Sequence, residues 1–391
     1  MIKKSAAKVI LNRDSIFQKT RYFGTVQCQI EIIYTDFCDN SLRQIDVKNR
    51  IYYFPKPPNP MNPFRTSFSI AKPNFELEYG QPLVFMGSCF TENIGHWLAE
   101  HKFEACINPF GILFNPLSIN NALDFLVNEQ QFTDKKLMNY NDLWLSLYHH
   151  SRFNKESKQA CLSEINREIG KGNTALRNAQ VVFLTLGTAF YYRHLATNTI
   201  VGNCHKIPQK AFEKKLMSVA EAKQALQNSI DKIQSINPQV PIVCTLSPVR
   251  HWKDGVTENQ RSKAVLYLAI SEIVEATKLV HYFPAYELMM DDLRDYRFYK
   301  ADMLHPSDMA VEYIQERFSE TYFTTETQSL FNEISKLKKS IHHRPRFPKS
   351  KHHRVFQMSL LAQIKVLESR YSFLDFTEEK KSLGEMMKPL F

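Results

Sequence analysis

The sequence predicts an α/β fold, in which helices cover both faces of a parallel sheet and further helices form a C-terminal extension. Two observations lead to this prediction: short, unbroken apolar runs, and segments of helical periodicity that alternate with them. Such runs are typical of strands buried on both faces, and their alternation with helices produces parallel sheets with right-handed crossovers. The 391 residues are 43% hydrophobic and 12% aromatic, which provides for a large core and argues against disorder.

Five apolar runs are interpreted as the strands of this sheet. They span residues 83–86, 103–107, 181–186, 240–246 and 279–283. Helical segments lie between them, and two of these begin with capping-box patterns, in which two polar side chains three residues apart pair with backbone N–H groups. The patterns are Ser218 with Glu221 and Thr257 with Gln260, and apolar residues follow each at helical spacing.

The sequence divides the chain into three parts. Residues 1–60 form an N-terminal extension that leads into the proline-dense stretch 54–63, which can continue neither a helix nor a central strand. Because Met61 lies at this boundary, we interpret residues 1–60 as an extension upstream of the true start and expect nothing catalytic in them. Residues 61–323 hold the α/β domain. Residues 324–391 form a basic extension with helices predicted at 328–340 and 355–371.

The net charge of +10 lies mostly in one segment of this extension. Residues 336–354 contain eight Lys or Arg residues and no acidic residue, so the other 372 residues carry a net charge of +2. A solvated surface segment is favoured over a nucleic-acid interface, because no nucleic-acid-reading motif accompanies the basic run. Nucleic acid is therefore not the expected partner.

The distribution of apolar residues and cysteines predicts a cytoplasmic protein. No apolar run approaches the roughly 18 residues that span a bilayer, and residues 1–17 lack the apolar stretch of a signal peptide. The seven cysteines are scattered, odd in number and without C-x-x-C spacing, which favours reduced thiols over disulfides or a zinc site. No metal or cofactor is implied.

Polar residues follow the predicted strands at one edge of the sheet. Gly87, Ser88 and Cys89 follow the first strand, where glycine permits a tight turn and a helix N-terminus stabilises a thiolate or an oxyanion. Asp302 and His305 have the spacing of a carboxylate that orients an imidazole general base. Because ligands of parallel sheets bind beyond the carboxyl ends of the strands, we interpret these groups as an active site rather than as helix caps.

The remaining strand ends and one loop add further candidates. His251 and His205 are alternative bases or substrate contacts, ranked below His305, and Arg250 is suited to an anionic acyl or phosphate group. The other candidates for substrate or oxyanion contacts are Asn108, Gly111, Gly187 and Thr188.

Several of these stretches resemble the GSCFA family, which is related to the SGNH/GDSL esterase superfamily. The family signature is similar to the sequence Gly-Ser-Cys-Phe at residues 87–90. Further similar stretches follow in order at residues 108–115, 185–188, 203–206, 247–251, 293–299 and 302–306. The resemblance runs from about residue 64 through the tail and leaves residues 1–60 uncovered. It implies a three-layer α/β/α sandwich with a flavodoxin-like parallel sheet, and a catalytic domain at residues 61–323.

The resemblance also implies roles for individual residues. Asp302 and His305 match the superfamily's last catalytic block, D-x-x-H, and alignment at Gly87 puts Cys89 rather than Ser88 at the nucleophile position. We favour Cys89, because a helix N-terminus and a nearby imidazole both stabilise a thiolate, and we expect its pKa to lie below the roughly 8.5 of a free thiol. Ser88 would then serve the turn or the oxyanion site.

The oxyanion site departs from the superfamily pattern. Gly111 matches the glycine donor of the second block, but Ala189 occupies the asparagine position of the third block, two residues after Gly187. Thr188 is the alternative donor. The loss of one donor costs about 10²–10³ in rate when nothing replaces it, so this departure counts against ordinary esterase activity.

The predicted function is acyl-ester chemistry through a covalent acyl-enzyme. An esterase or deacetylase and an O-acyltransferase remain equally open, because both use the same intermediate. The expected substrate is a small-molecule or glycan ester. The alternative is a catalytically degenerate protein that binds a glycan or acyl ligand without turnover, which Ala189 favours.

Overall fold

The computed structural model describes residues 66–348 and 350–387, together with four short strands nearer the N-terminus. The chain divides into two compact units, residues 1–69 and 70–391. The first unit contains a sheet in the order β1 (Val9–Ile10), β2 (Ile32–Thr35), β3 (Leu42–Ile45) and β4 (Ile51–Tyr53). Most of residues 1–60, interpreted above as an upstream extension, lies outside the described residues, and the three domain boundaries stay predictions.

The second unit alternates strands and helices along most of its length. Each of the five apolar runs forms a strand, which confirms that part of the sequence prediction. In chain order, the elements are β5 (Leu83–Gly87), α1 (Cys89–Glu100), β6 (Ala105–Ile107), α2 (Pro116–Val127), β7 (Leu137–Tyr140), β8 (Leu143–Ser146), α3 (Lys158–Asn178), β9 (Val181–Leu186), β10 (Phe190–His194), β11 (Thr199–Ile200), β12 (Phe212–Leu216), α4 (Val219–Ile236), β13 (Ile242–Leu246), α5 (Val256–Ala276), β14 (Val280–Phe283), α6 (Ala285–Glu287), α7 (Asp308–Tyr322), α8 (Thr325–Ile341), α9 (Lys351–Arg370) and α10 (Thr377–Met387).

The central sheet is parallel throughout and has the strand order β14-β13-β9-β5-β6. Numbered by their appearance in the chain, these strands run 2-1-3-4-5 across the sheet, which is the flavodoxin order. Every residue of β5, β9 and β13 is buried, as the continuous apolar runs predicted. The predicted fold class is confirmed.

Alternate side chains of each strand enter two different apolar layers, because successive residues of a strand point to opposite faces. Val84 and Met86 of β5 join a core formed with α2, α3, α4 and α5. On the other face, Phe85 stacks on Phe183 with a centroid distance of 4.6 Å, and Phe183 contacts Phe318 of α7 at 5.4 Å. Helices therefore cover both faces of the sheet, which gives the three-layer sandwich.

Two antiparallel additions were not predicted. β7 pairs with β8, and β10 lies between β11 and β12. Their strands combine buried residues with partly buried or exposed ones and mix polar with apolar side chains, so a search for unbroken apolar runs does not detect them.

The two predicted capping boxes have different outcomes. The Ser218–Glu221 box is present and begins α4. The prediction for Thr257 and Gln260 is wrong, because α5 already begins at Val256, after Gly255, without a side-chain cap. The pattern therefore lies inside the first turns of the helix.

Three helices form the C-terminal part of the second unit. α8 and α9 correspond to the two predicted helices, while α10 was not predicted. Phe331 of α8 packs on α1, where its ring lies 5.0 Å from that of Trp97 and stacks at 4.0 Å on His101. Of the helices in the described part of the chain, none combines the length and the hydropathy required to span a membrane.

Candidate functional site

The candidate site lies at the switch point of the central sheet. In this strand order, crossovers leave β5 and β9 in opposite directions and open a crevice at their carboxyl ends. Gly87 ends β5 with a φ of 139°, and an added Cβ would lie 2.1 Å from the carbonyl oxygen of Thr185, so only glycine fits. The Ser88 N–H donates to the same carbonyl at 3.1 Å, which fixes the start of α1 beside β9.

Ser88 and Cys89 occupy different positions at this helix N-terminus. Ser88 is fully buried and caps the helix, because its Oγ accepts a hydrogen bond from the Phe90 N–H at 3.3 Å. Cys89 is the first helical residue, and its side chain is only partly buried. The serine hydroxyl is thus committed to the turn, whereas the thiol is the more accessible of the two candidate nucleophiles.

The surroundings of Cys89 shift its pKa in the direction opposite to the predicted one. Burial, followed by the nearby Glu92 carboxylate, raises the pKa of the Cys89 thiol. The amides of Cys89 and Phe90 and the Lys263 ammonium lower this pKa, but burial outweighs them. The prediction of a pKa below that of a free thiol is therefore wrong: the helix N-terminus acts as expected, but the desolvation was not visible in the sequence. A thiol in this state needs a base to ionise it.

The Asp302–His305 pair has the contact that its spacing predicted. His305 Nδ1 lies 2.6 Å from Asp302 Oδ2, and Asp302 Oδ1 accepts the N–H groups of Leu304 and His305 at 2.9 and 3.0 Å. These hydrogen bonds to the charged form lower the pKa of the Asp302 carboxyl to about 2. Both side chains are about half exposed, at 46% for Asp302 and 45% for His305. The carboxylate is ionised and holds the ring, so Nε2 is the nitrogen left for a substrate.

His251 lies near Gly187 at the end of β9 and interacts electrostatically with His305. Its Nε2 is buried and has no hydrogen-bond partner among the described residues, and a Cβ added to Gly187 would lie 3.1 Å from it. Burial, followed by the Lys263 charge, lowers the pKa of His251 to about 4, and His305 contributes to the same shift. Across the described chain, no hydrogen bond joins His305 to Ser88 or Cys89. His251 is therefore a neutral imidazole beside Gly187.

The predicted oxyanion donors are already paired. The Gly111 N–H donates to the Asn108 carbonyl at 2.6 Å, and the N–H groups of Gly187 and Thr188 both donate to the Phe114 carbonyl, at 2.8 and 3.0 Å. The Thr188 hydroxyl bonds to Ser262 Oγ at 2.9 Å. The expectation that these groups are open donors is not met, because the turns after β6 and β9 use them internally. The Cys89 amide at the start of α1 is the remaining candidate.

Asn108 holds the turn rather than pointing at a substrate. Its φ is 46°, a left-handed conformation that asparagine tolerates. The buried Oδ1 accepts the Gly87 N–H at 2.8 Å, and Nδ2 donates to Glu92 at 3.2 Å. Asn108 therefore fixes both the turn that presents Cys89 and the carboxylate that raises its pKa.

His205 and Arg250 lie in different surroundings. His205 is buried beside β8, where its Nε2 lies 2.9 Å from the Ser146 carbonyl oxygen, and its electrostatic neighbour is His150. The structure does not bring it next to His305. Arg250, in contrast, is linked to the Asp302–His305 loop, because its N–H donates to the Leu304 carbonyl at 3.4 Å.

A buried polar face on α5 was not predicted from the sequence. Asn259, Ser262 and Lys263 are between 1% and 2% exposed and face the carboxyl ends of β9 and β13. The Asn259 Oδ1 accepts the His251 N–H at 2.9 Å, and Ser262 Oγ accepts the Ala189 N–H at 2.7 Å. These three residues extend the buried stripe of α5 toward its N-terminus. In the sequence, they are polar residues at the helical spacing of an apolar stripe, and this pattern could have predicted the buried polar face.

Lys263 is the least expected of these residues, since a lysine is almost never fully buried without a counter-ion. Its Nζ donates to the Ser247 carbonyl at 2.6 Å, and it interacts electrostatically with Cys89 and Arg250. Burial lowers the pKa of Lys263 to about 7, while Cys89 opposes and Arg250 reinforces the shift. A buried amine with a lowered pKa that interacts electrostatically with a candidate nucleophile is typical of functional sites, so Lys263 joins the candidate residues.

Replacing Lys263 with methionine is expected to remove a pH dependence of stability. Between pH 7 and about 10.5 the unfolded chain binds more protons at this site than the folded protein, so the wild type gains stability as pH rises. The Lys263→Met variant lacks this gain, and its free energy of unfolding relative to wild type should fall by a few kcal/mol between pH 6 and pH 10. Denaturant unfolding at several pH values measures the difference.

The control for this experiment is Lys223→Met, because Lys223 is exposed and pairs with Glu272 at 2.8 Å. Its stability relative to wild type should change little over the same range. A difference between Lys263→Met and wild type that is constant from pH 6 to pH 10 would mean that Lys263 titrates as an ordinary lysine.

The chain matches two family models. A model of the GSCFA family matches residues 82–318, and a model of the GSCFA domain protein, C-terminal domain, matches residues 334–389. No curated protein matches the chain.

Several solved structures show a distant likeness. A carbohydrate esterase family 3 protein from Talaromyces cellulolyticus is 10% identical over 40% of this chain and 60% of its own, with a TM-score of 0.23. A family 3 carbohydrate esterase from Clostridium thermocellum is 14% identical over 64% of this chain and 97% of its own, with a TM-score of 0.30. The salicylyl-acyltransferase SsfX3 from a tetracycline biosynthetic pathway is 11% identical over 63% of this chain and 55% of its own, with a TM-score of 0.30.

The chain thus spans less than two thirds of the Talaromyces protein and of the acyltransferase. The fold assignment rests on the strand order described above, and the family assignment rests on the two family models. Since the first of these models alone covers more than half of the residues, the chain belongs to the GSCFA family.

Proposed function

We propose that the protein cleaves or transfers acyl esters through a covalent acyl-enzyme formed on Cys89. The observation that carries this proposal is the Asp302–His305 pair, joined at 2.6 Å, in a loop that is hydrogen-bonded to Arg250 after β13, while a cysteine occupies the first position of the helix that follows β5. Enzymes that transfer acyl groups combine a carboxylate that orients an imidazole with a nucleophile, here at a helix N-terminus. The ester's alcohol is a small molecule or a glycan.

In the proposed reaction, His305 Nε2 accepts the thiol proton as Cys89 Sγ attacks the carbonyl carbon of the ester. The S–C bond forms, and the carbonyl electron pair moves onto oxygen, where the Cys89 amide stabilises it. His305 then returns the proton to the alcohol oxygen as the C–O bond breaks, which leaves a thioester. A water molecule or a sugar hydroxyl, deprotonated by His305, attacks the thioester and restores the thiol, so hydrolysis and transfer share the intermediate.

The state of the thiol supports a role for a base. Burial and Glu92 raise the pKa of Cys89, so the side chain is protonated at neutral pH in the absence of substrate. Proton transfer must therefore accompany attack, as it does for a serine nucleophile. Lys263 lowers the same pKa, and we assign it the role of stabilising the thiolate as it forms.

The second candidate function is ligand binding without turnover. Ala189 stands at the expected asparagine position, and the amides of Gly111, Gly187 and Thr188 are paired with carbonyl groups. With the Cys89 amide as the remaining candidate donor, the oxyanion would be poorly stabilised, which favours a binding protein on a hydrolase fold.

Trapping of the acyl-enzyme separates the two functions. The intact protein is incubated with an activated short-chain ester that carries a mass tag, and the labelled peptide is sequenced by mass spectrometry. We expect a single acyl group on Cys89, retained in Ser88→Ala and lost in both Cys89→Ala and His305→Ala. The six cysteines other than Cys89 serve as internal controls for nonspecific acylation.

A label that is spread over several cysteines, or that is unchanged in His305→Ala, would contradict the enzyme proposal. A label on Ser88 that survives in Cys89→Ala would instead move the nucleophile by one residue.

A further inference from the structure

A cavity of about 440 Å³ lies beside the Asp302–His305 loop. Its volume is within the range of small-molecule sites, roughly 300–1,000 Å³. Residues from three segments of the chain line it: Arg250 and Trp252 after β13, seven residues between positions 289 and 299 after α6, and Met303 between Asp302 and His305. Residues 293–299 were singled out in the sequence, and the proposed reaction gives them no role.

Arg250 supplies a cation to this cavity. Its guanidinium contacts Met290 Sδ at 3.1 Å, and no carboxylate in the described part of the chain forms an ion pair with it. Arg294, the second arginine of the cavity, pairs with Asp291 at 3.2 Å. Arg250 therefore presents a half-buried positive charge that has no counter-ion among the described residues, an arrangement suited to a carboxylate or phosphate ligand.

The walls of the cavity are suited to a ring that carries hydroxyl groups. The floor is apolar, with Met289 and Leu293 at 0% and 4% exposure, while the rings of Trp252 and Tyr296 stand at the rim with 46% and 80% exposure. Large aromatic rings left in water offer flat apolar faces to a ligand. The exposed Asp295 carboxylate at the same cavity accepts hydrogen bonds, as sugar hydroxyls would require.

We propose that this cavity binds the alcohol half of the ester, and that this alcohol is an acidic sugar, whose anionic group pairs with Arg250. The inference rests on the proposed function. The general acid must reach the leaving oxygen, so the alcohol lies on the His305 side of the reacting carbonyl, where Met303 forms part of the cavity. The acyl group then lies toward the crevice between β5 and β9.

Binding of free sugars tests this assignment without requiring turnover. Titration calorimetry on the full chain measures the Kd of glucuronate, glucose 6-phosphate, uncharged methyl glucoside and benzoate, an anionic ring without hydroxyl groups. We expect at least one acidic sugar to bind about tenfold or more tightly than both methyl glucoside and benzoate, because a charge-assisted pair and the hydroxyl contacts act together. The tighter of the two acidic sugars identifies whether the anion is a carboxylate or a phosphate.

Variants at Arg250 show whether the charge preference arises in this cavity. Arg250→Met should abolish the preference for the acidic sugar, Arg250→Lys should restore part of it, and Arg261→Met should keep it, since Arg261 lies on the surface of α5 and pairs with Glu258. Melting temperatures establish that each variant is folded. Equal affinities for charged and uncharged sugars, or a preference that survives Arg250→Met, would overturn the proposal. Tight binding of an acidic sugar in a protein that forms no acyl-enzyme would refute the proposed function and the role of the cavity as the site of the ester's alcohol, and would leave only an acidic-sugar site at Arg250.

Discussion

Replacing His305 with alanine is expected to lower kcat/KM for an activated short-chain ester by about 10²–10⁴-fold, the usual contribution of general acid–base catalysis. The reason is the state of the thiol: burial and Glu92 raise the pKa of Cys89, so attack requires a proton acceptor. Because His305 is half exposed and lies in a loop, its removal should leave the melting temperature nearly unchanged. Steady-state kinetics and thermal unfolding of the same preparations provide the measurement.

His251→Ala is the matched control for this prediction. His251 Nε2 has no partner in the described structure and lies beside Gly187, so it is the competing base. Its pKa of about 4 keeps it neutral but makes it a weak proton acceptor, and we expect a smaller loss than for His305. A larger loss in His251→Ala than in His305→Ala would transfer the role of the base to His251.

Asp302→Asn should reduce activity by a similar factor, because the amide cannot stabilise the imidazolium. The Asp302 pKa of about 2 also has a consequence for pH dependence. The stability contributed by this depressed carboxyl is present above its ordinary pKa, roughly 3.9, and is lost as pH falls toward 2. A loss of activity on acidification between pH 7 and pH 5 is therefore not caused by protonation of Asp302.

The elements that the sequence predicted correctly are those with a local signal. β5, β9 and β13 are unbroken apolar runs, and the Ser218–Glu221 capping box depends on two residues one turn apart. The edge at which the strands end follows from their parallel order, so the grouping of Gly87, Gly187 and His251 was predictable as well. The Asp302–His305 contact was predictable from a local signal, because the two residues are only three positions apart.

Features that depend on contacts between distant segments were not predictable. The Phe114 carbonyl that accepts the amides of Gly187 and Thr188 belongs to a different loop, more than 70 residues earlier in the chain. The polar face of α5 becomes meaningful only when the ends of β9 and β13 pack against it. The pKa of Cys89 depends on how far the thiol is buried, which no local pattern records.

Replacing Cys89 with alanine is expected to abolish turnover, with a loss of about 10⁴-fold or more in kcat, because the acyl group then has no acceptor. Ser88→Ala should act mainly on stability. It removes the side-chain cap of α1, at a cost of about 0.5–2 kcal/mol, and leaves kcat within about tenfold of wild type. Kinetics and denaturant unfolding of both variants measure the two effects. The reverse assignment, with turnover lost in Ser88→Ala and retained in Cys89→Ala, would make Ser88 the nucleophile.

The thiol chemistry of Cys89 gives an independent measure of the same site. Since its pKa is raised, alkylation by iodoacetamide at pH 7 should be slower than that of a small free thiol and should accelerate as pH rises. Glu92→Gln should speed the reaction, because the Glu92 carboxylate raises the pKa, and Lys263→Met should slow it. Cys106 and Cys244, with pKa values of about 11 and 12, should react later than Cys89. An alkylation rate that is the same in wild type, Glu92→Gln and Lys263→Met would show that neither charge affects the ionisation of the thiol. The role assigned to Lys263 would then be refuted.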